Sequence, residues 1–405
     1  MTTSPTSSPS SLPPTIAALT PIAWMRKHLF NSWLNSLLTI VLVLILGRML
    51  ISFVNWATTT AKWQVIPANL SLFFAGRYPS SEYWRLWIML GMLVFLAGLS
   101  WGILARNVPR LLSRNVLIGL GIAAAIIILI PTPLPYRLLL LGLEALMIGC
   151  AIGGQQLGRR SPGLGKWLSL AWMLSFFVAL WLMAGGFGLR PVEGTSWGGL
   201  LLTVFMAVVS MVLSFPFGVL LALGRQSELP MIRWLSTIFI EIVRGTPILA
   251  TLFIALLMVP LFLPAGTQTG LVVRGIIGLT LFAAAYLAET VRGGLQAIPK
   301  GQYEAASAVG LSTPLTLALI VLPQALKISI PAIVGLFIDL VQETTLVSIV
   351  GLAELLGTSR SILANPLYIG RYAEVYLFIG VLYWTICYLM SWGSRRLEQQ
   401  LDSGH

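Results

Sequence analysis

Five ionisable side chains lie in or beside apolar runs in the second half of the chain: Glu241, Arg244, Glu289, Asp339 and Glu343. Charged groups in such runs usually face protein or water, and they often mark the path of an ion or a polar solute. A cation or a helix N-terminus would bind a carboxylate, whereas an acid would bind an ammonium group. Two interpretations stay open. These residues line a solute path, or they lie at helix ends and pair with one another.

Asp339 and Glu343 are four residues apart, so a helix would place both on one face. Together with nearby hydroxyl groups they form a candidate substrate path, which consists of Arg244, Thr246, Asp339, Glu343 and Thr344. If this face lines a cavity, Glu343 could receive a substrate ammonium group while Arg244 or a helix N-terminus holds a carboxylate. The alternative is that Glu343 lies at the mouth of the path and contacts a partner protein.

The elements that must position these residues are membrane helices. Hydrophobic residues make up 57% of the chain and charged residues only 9%, which excludes an ordinary soluble domain. Apolar runs long enough to cross a bilayer recur throughout the sequence. About ten spans are predicted, at 32–54, 84–104, 115–134, 137–156, 167–188, 199–223, 242–263, 271–292, 328–350 and 372–393. Gly98-x-x-x-Gly102 and Gly149-x-x-x-Gly153 have the spacing of close helix contacts.

The distribution of basic residues predicts the orientation of these spans. The net charge of +12 comes from residues spread through short connections, not from a clustered patch, so nucleic-acid binding is not predicted. More basic residues fall on the side that holds both termini, and the positive-inside rule therefore places both termini in the cytoplasm.

Catalytic, metal and nucleotide sites are not predicted within this chain. Gly163-Leu164-Gly165-Lys166 is followed by Trp167, where a P-loop needs Ser or Thr. The cysteines and histidines are too few and too scattered for a disulfide framework or a metal site. They are Cys150, Cys387, His28 and His405.

Three segments are predicted along the chain. Residues 1–28 begin with a Ser/Thr/Pro-rich stretch and are predicted to be a disordered cytoplasmic N-terminus. Residues 29–188 hold the first five spans. A polar break with Pro and Gly at 189–198 precedes a five-span core at 195–396, in which residues 293–327 form a cytoplasmic loop.

The least lipid-like part of that core is the stretch EAASAVGLSTPLTLALIVLP, residues 304–323. Glu304 is predicted to open a short helix, and Gly310 to end it in the left-handed conformation. Ser312 and Pro314 then read as the cap and first turn of a second helix. Pro323 is predicted to close this second helix, because proline cannot continue the hydrogen-bond ladder.

The same stretch resembles the EAA loop of ABC-importer permeases. In that family the loop is a cytoplasmic helix pair that docks in a groove of the ATPase subunit. The residues that match the family motif, and that the resemblance assigns to ATPase coupling, are Glu304, Ala305, Ala306, Gly310, Leu322 and Pro323. The resemblance implies an all-α integral membrane protein with a C-terminal five-helix type I ABC importer core.

A second resemblance concerns the solute. Glu241–Pro247, Tyr286–Leu295 and Ile298–Gln302 are similar to segments of polar amino-acid permeases. Gly76-Arg77-Tyr78-Pro79, with Glu82 and Trp84-Arg85, resembles an external loop of the larger, general L-amino-acid permeases. The sequence departs from the family at Gln342-Glu343, where many relatives have Lys-Asp, so the substrate preference is left open.

These resemblances imply a set of partners. They are two ATPase copies that bind ATP and Mg, a second homologous permease, an external solute-binding protein, an L-amino-acid substrate and the lipid bilayer. The predicted location is the bacterial cytoplasmic membrane. Two other hypotheses are kept beside this one. An ion-gradient-driven secondary carrier would have broken helices and paired acids at mid-membrane, and a non-transporting scaffold would leave the charges in the core without a role.

Overall fold

The computed structural model describes residues 20–130, 132–264 and 269–402. Regular structure in these ranges is helical, and the only β pairings there are isolated bridges. The predicted all-α class is therefore confirmed. By contacts the chain divides into two units, Met1–Lys62 and Trp63–His405, which are described in turn.

The first unit holds two helices. They are α1 (Pro21–His28) and α2 (Trp33–Asn55), the latter extended by a π-helical turn at Trp56–Thr60. Basic residues fill the last turn of α1, where they complement the negative end of the helix dipole. The prediction of disorder over 1–28 is thus wrong for Pro21–His28, and residues 1–19 lie outside the described residues. Ser32 caps α2, and its Oγ accepts a hydrogen bond from the Asn35 N–H at 3.2 Å.

The second unit begins with helices that precede the predicted core. They are α3 (Val65–Ala68), α4 (Leu70–Ala75), α5 (Tyr83–Leu104), α6 (Arg114–Leu129), α7 (Leu134–Arg160) and α8 (Leu168–Ala184). Short 3-10 turns lie at Ser80–Glu82 and Pro162–Trp167.

The remaining helices of the second unit form the core. They are α9 (Gly199–Arg225), α10 (Pro230–Gly245), α11 (Ile248–Met258), α12 (Leu271–Gln296), α13 (Lys300–Ala308), α14 (Thr313–Thr316), α15 (Leu322–Glu343), α16 (Leu355–Leu363) and α17 (Tyr372–Asp402). A π-helical turn at Leu317–Val321 joins α14 to α15, and 3-10 turns lie at Gly194–Ser196, Val259–Phe262, Thr344–Ser348 and Pro366–Tyr368.

The ten predicted spans each correspond to helical structure in the described ranges. Eight helices there are long and apolar enough to cross a membrane, and the α10–α11 pair makes a ninth if its two parts count as one span. The tenth is α6, an apolar helix of 16 residues. The span predicted at 242–263 is wrong in shape, because α10 and α11 are bent by 112°. Thr246 precedes Pro247 and is extended, as a residue before proline prefers to be.

Helix α12 is the centre of the core. Of its most apolar window 67% is buried, against at most 33% for any other span. It packs against α9, α10, α11 and α15. Small residues permit this approach: a Cβ on Gly218 would lie 2.5 Å from Leu287 Cδ2, and one on Gly294 would lie 2.1 Å from Ser329 Oγ.

Two apolar clusters fill the core, one at each end of α12. One cluster lies at the C-terminal end of α12, next to the loop predicted at 293–327, and is called the loop-side cluster. It consists of Ala222, Ile240, Leu287, Ala288, Val291, Leu295, Ile298, Val321, Ala325 and Ile333. The far-side cluster consists of Leu202, Met206, Leu252, Val272, Ile276, Leu279, Ala283, Leu340, Val347 and Leu352.

Helices α5 and α7 pack closely through glycines. A Cβ on Gly102 would lie 2.1 Å from Ala151 O, and one on Gly98 would lie 2.5 Å from Met147 O, so the predicted contact at these two glycines is confirmed. The predicted contact at Gly149-x-x-x-Gly153 is wrong, since nothing lies within 4 Å of either position. Gly154, one residue further along α7, faces α5 instead.

Candidate functional site

The candidate coupling loop, residues 304–323, begins within α13 and not at its start. Helix α13 starts at Lys300 after Pro299, so the prediction that Glu304 opens the helix is wrong. Proline at 299 fixes a backbone angle that suits the residue before a helix, and the start therefore moves upstream. Glu304 and Ala305 are exposed, whereas Ala306 is only 1% exposed. The helix thus turns one small residue inward and leaves the acid on its free side.

Gly310 ends α13 as predicted. Its φ of +80° is in the left-handed region, and no atom lies near the position of a Cβ. The Gly310 N–H donates to Ser307 O at 3.0 Å, and the Leu311 N–H donates to Ala306 O at 3.1 Å. This pair of bonds is a Schellman motif, which satisfies the last carbonyls of the helix. The turn therefore depends on a residue without a side chain.

Pro323 does not close the second helix, contrary to prediction. Helical structure continues from Thr313 to Ser348, with Pro323 in the first turn of α15. The π-helical turn at Leu317–Val321 comes directly before it, and the Leu322 N–H donates to Leu317 O. A π turn widens the backbone locally, so the proline ring is accommodated within a continuous helix. Ser312 precedes α14 in an extended conformation but makes no side-chain cap bond.

The coupling loop is attached to the loop-side cluster. Val321 is a buried member of that cluster, and Tyr303, Leu317 and Leu322 pack against it. Other apolar residues of the loop point away: Val309 is 75% exposed, and Leu319 is 65% exposed. The loop therefore has one face fixed to the core and another face free.

An arginine–glutamate cluster lies near the same end of the core. It consists of Arg225 from α9, Glu241 and Arg244 from α10, and Glu289 and Arg292 from α12. Glu289 contacts all three arginines: Arg225 Nη1 at 3.2 Å, Arg244 Nη1 at 3.6 Å, and Arg292 Nε at 3.0 Å. Glu241 contacts Arg225 Nη2 at 2.7 Å. Arg244 and Glu289 therefore pair with one another, as one of the two interpretations expects, whereas Glu241 pairs with Arg225.

Arg244 has further contacts in this cluster. Its guanidinium lies 5.6 Å from the centroid of the Tyr286 ring, a cation–π contact. Its Nε is buried and has no hydrogen-bond partner within the described ranges. The hydroxyl of Thr246 donates to Val243 O at 3.0 Å and lies 3.3 Å from Thr251 Oγ1. Both candidate residues are therefore held at the α10–α11 bend.

The acids of α15 lie elsewhere. Asp339 is exposed and Glu343 is half-buried, and neither is paired with a cation in the part of the chain that the structure describes. Thr344 is fully buried, and its hydroxyl donates to Val341 O at 2.7 Å. Its hydroxyl is thus engaged by a carbonyl of the preceding turn, and its role in a substrate path stays a prediction.

The structure does not bring Arg244 and Glu343 together. Ser329 Oγ donates to Thr290 O at 3.3 Å, which places Ser329 level with the arginine–glutamate cluster. Asp339 and Glu343 lie ten and fourteen residues further along α15, or about 15 Å and about 21 Å at 1.5 Å per residue. These separations far exceed the size of an amino acid's charged head, so one substrate cannot bridge Arg244 and Glu343 in this conformation.

Glu354 is a buried acid that the sequence reading missed. It caps α16, where its carboxylate accepts bonds from the N–H groups of Leu356 and Gly357, each at 2.8 Å. Tyr383 of α17 donates to it at 3.0 Å and Thr203 of α9 at 3.5 Å. Burial raises the pKa of this carboxyl above its usual value, although these hydrogen bonds oppose the shift. An acid directly before an apolar helix was the available signal.

The segment that resembles an external loop of general permeases contacts the start of the core. Gly76 forms an isolated antiparallel β-bridge with Trp197, and a Cβ on Gly76 would lie 2.3 Å from Gly198 Cα. The Tyr78 hydroxyl donates to Met183 O at 3.0 Å. Arg85, 2% exposed, pairs with Glu82 at 2.8 Å. Residues 63–85 are therefore joined to the core, on the end opposite the coupling loop.

Comparison with known proteins gives matches over nearly the whole chain. The family described as "Binding-protein-dependent transport system inner membrane component" matches residues 214–403. The inner membrane amino-acid ABC transporter permease protein YhdY of Escherichia coli (strain K12) is 35% identical over 400 residues, which cover 95% of this chain and 94% of that protein.

Two further matches are of the same kind. The glutamate/glutamine/aspartate/asparagine transport system permease protein BztC of Rhodobacter capsulatus is 35% identical over 430 residues, covering 97% of this chain and 96% of the relative. A crystal structure of an amino acid ABC transporter with histidines matches 58% of this chain and 98% of its own, with 26% identity and a TM-score of 0.45.

Proposed function

Because this chain belongs to the family of binding-protein-dependent inner-membrane transport components, we propose that it is the translocation subunit of an ATP-driven importer of L-amino acids. The observation that carries the proposal is the match to YhdY and BztC, since both cover more than nine-tenths of the chain and both are named amino-acid permeases. ATP and Mg would be bound by separate ATPase subunits. A second permease and an external binding protein would complete the importer.

The ATPase would dock on the coupling loop. Three observations support this: the exposed Glu304 on α13, the rigid Schellman turn at Gly310, and apolar side chains such as Val309 and Leu319 that face away from the core. A short helix with small residues can enter a cleft of a partner. Because Tyr303 and Val321 join the loop to the loop-side cluster, a displacement of the loop would reach α12 and α15.

Coupling then follows from preferential binding. ATP closes the ATPase pair, and the closed pair and the loaded binding protein would both favour the outward-open permease. Hydrolysis of ATP would open the ATPase pair, remove its preference for the outward-open permease, and return the permease to the inward-open state. The loop would lie on the cytoplasmic side, with Glu354 and residues 63–85 on the outer side.

The substrate path would include the unpaired acids of α15. Asp339 and Glu343 share a helix face and form no ion pair with another described residue, so they suit a substrate ammonium group or a basic side chain. Arg244 and Thr246 would act at a different level of the path, near the α10–α11 bend.

Glu343→Gln tests the path. Removing the acid that pairs with a substrate ammonium group costs roughly 2–5 kcal/mol of binding free energy in a desolvated site. The cost is lower in a water-filled cavity, so about a tenfold loss of uptake is expected. The loss should differ among an acidic, a neutral and a basic amino acid, while basal ATP hydrolysis stays unchanged. Gln342→Asn on the adjacent exposed position is the control. An equal loss for all three substrates, or no loss, contradicts a cavity-lining Glu343.

An ion-driven carrier is the competing function. The broken α10–α11 span is also expected of such carriers, so the bend does not separate the two functions. Family membership favours the ATP-driven importer. A pull-down of the ATPase subunit separates them: it should succeed with wild type and fail with Glu304→Lys. Glu228→Lys, on an exposed acid at the same end of the core, should leave capture intact.

A further inference from the structure

Phe187 has an unusual conformation and an unusual exposure. Among the described residues it is the one non-glycine residue with a positive φ, at 48°, and its side chain is 96% exposed. It lies at the tip of a short hairpin, residues 185–190, which directly follows α8. This hairpin is called the Phe187 hairpin below.

The hairpin is a two-residue turn that is poorly suited to phenylalanine. Gly186 and Leu189 exchange backbone hydrogen bonds of 2.9 and 3.1 Å, and the two residues between them, Phe187 and Gly188, both have positive φ. A turn of this type favours Asn-Gly or Gly-Gly, and a bulky side chain at the first position is strained. Folding alone therefore favours neither the conformation nor the exposure of Phe187, and such an outlier is a reason to look for a function.

The hairpin is held rigidly at both ends. Arg85 Nη1 donates to Arg190 O at 2.7 Å, and Arg85 itself is buried. A Cβ on Gly185 would lie 2.3 Å from Arg190 O, so the two ends of the hairpin are in close contact. The backbone at the base of the hairpin is therefore held beside the end of α8.

The hairpin is also joined to an exposed apolar face of α8. Trp181, in the last turns of that helix, donates from Nε1 to Gly186 O at 2.8 Å. Trp181 is exposed, as are Leu170, Leu174 and Phe177, and their spacing places all four on one helical face. Because α8 is a candidate membrane span that ends at Ala184, the hairpin continues an apolar, exposed face at the membrane boundary.

We propose that the Phe187 hairpin is a membrane anchor, in which the Phe187 ring inserts at the boundary between headgroups and acyl chains of the leaflet opposite the coupling loop. Insertion would remove a fully exposed ring from water. A lipid surface fits better than a protein partner, because the hairpin directly continues the exposed apolar face of a helix long and apolar enough to cross a membrane. The proposal is independent of the transported solute and of the energy source.

Depth measurement with a spin label tests the anchor. The full chain, with Cys150 and Cys387 replaced by Ala, carries a nitroxide at Phe187→Cys in nanodiscs of phosphatidylethanolamine and phosphatidylglycerol. Accessibility to oxygen is compared with accessibility to a water-soluble nickel chelate. Glu193→Cys, exposed in the segment that follows the hairpin, is the control. We expect a severalfold higher oxygen-to-nickel ratio at position 187 than at 193.

Equal ratios at the two positions overturn the proposal. So does protection of position 187 that develops only when the binding protein is added, since that identifies a protein contact.

Discussion

Replacing Glu289 by Gln removes the acid on which three arginines from three core helices converge. Arg225 would keep its contact with Glu241, and Arg244 would keep only the Tyr286 ring, while Arg292 would lose its acid. The cluster holds three arginines and two glutamates, so its formal charge would rise from +1 to +2. The substitution is nearly isosteric, and its effect therefore reports the charge and not a cavity.

The magnitude follows from burial. Removing one partner of a fully buried pair costs about 3–5 kcal/mol, whereas an exposed pair is worth about 0–1 kcal/mol. The side chains of Glu289, Arg225, Arg244 and Arg292 are 22%, 24%, 33% and 28% exposed, so an intermediate cost of about 2 kcal/mol is expected. The unfolding entropy is about 2.1 cal/mol/K per residue, so a chain of 405 residues shifts by about 1 °C per kcal/mol, and the apparent unfolding temperature should fall by about 2 °C.

The assay is thermal unfolding of the purified chain in one detergent at one scan rate, because membrane proteins often unfold irreversibly. Glu241→Gln is the matched control. Glu241 is 55% exposed and pairs with one arginine, Arg225, in the described part of the chain, so its replacement should lower the temperature by less than about 1 °C. The reasoning is refuted if Glu289→Gln leaves the temperature unchanged, or if the control shifts it as far.

Three further predictions concern single positions. Gly310→Leu should abolish binding-protein-stimulated ATP hydrolysis without preventing membrane insertion, because a residue with a side chain is strained at a φ of +80°. Gly301→Leu should retain the stimulated hydrolysis, because Gly301 has open space around it and an ordinary φ. Gly102→Ala should lower the apparent unfolding temperature by several degrees, since its Cβ would lie 2.1 Å from a backbone oxygen of α7, and Gly149→Ala should not. The carboxyl of Glu354 keeps its proton to a higher pH in the folded state than in the unfolded chain. Its contribution to the free energy of unfolding is therefore complete below the ordinary pKa of 4.5 and is lost as pH rises through the raised pKa. Glu354→Gln should flatten this fall in unfolding scans taken across pH, and an unchanged slope would contradict it.

Local conformation was predictable where it depends on one residue. Gly310 was expected to adopt a left-handed conformation, and it does, because a glycine after a short helix needs no tertiary support to turn the chain. Pro323 was expected to end a helix, and it does not. The expectation that proline interrupts a helix did not take account of the π-helical turn at Leu317–Val321, which accommodates the proline ring. This turn is defined by backbone hydrogen bonds, and the residue types there do not predict it.

The ion-pair and hydrogen-bond partners of the charged residues in the core were less predictable than the positions of those residues. The sequence places Arg225 and Glu289 sixty-four positions apart, and only the packing of α9 on α12 brings them to 3.2 Å. Glu354 was missed for a related reason, since its bonds to Thr203 and Tyr383 come from helices distant in sequence. Hydropathy located the membrane helices but not the bend at Thr246, because a hydropathy average does not register that Pro247 favours an extended residue before it.

The central claim is that transport is powered by an ATPase docked on the coupling loop. The most direct measurement is uptake of labelled amino acids into proteoliposomes that hold the assembled importer, with the binding protein outside, ATP inside and no ion gradient. Uptake should require ATP, and Glu304→Lys should abolish it together with binding-protein-stimulated hydrolysis, while Glu228→Lys keeps both. Uptake that follows an imposed ion gradient and proceeds without ATP, unaffected by Glu304→Lys, would contradict the claim.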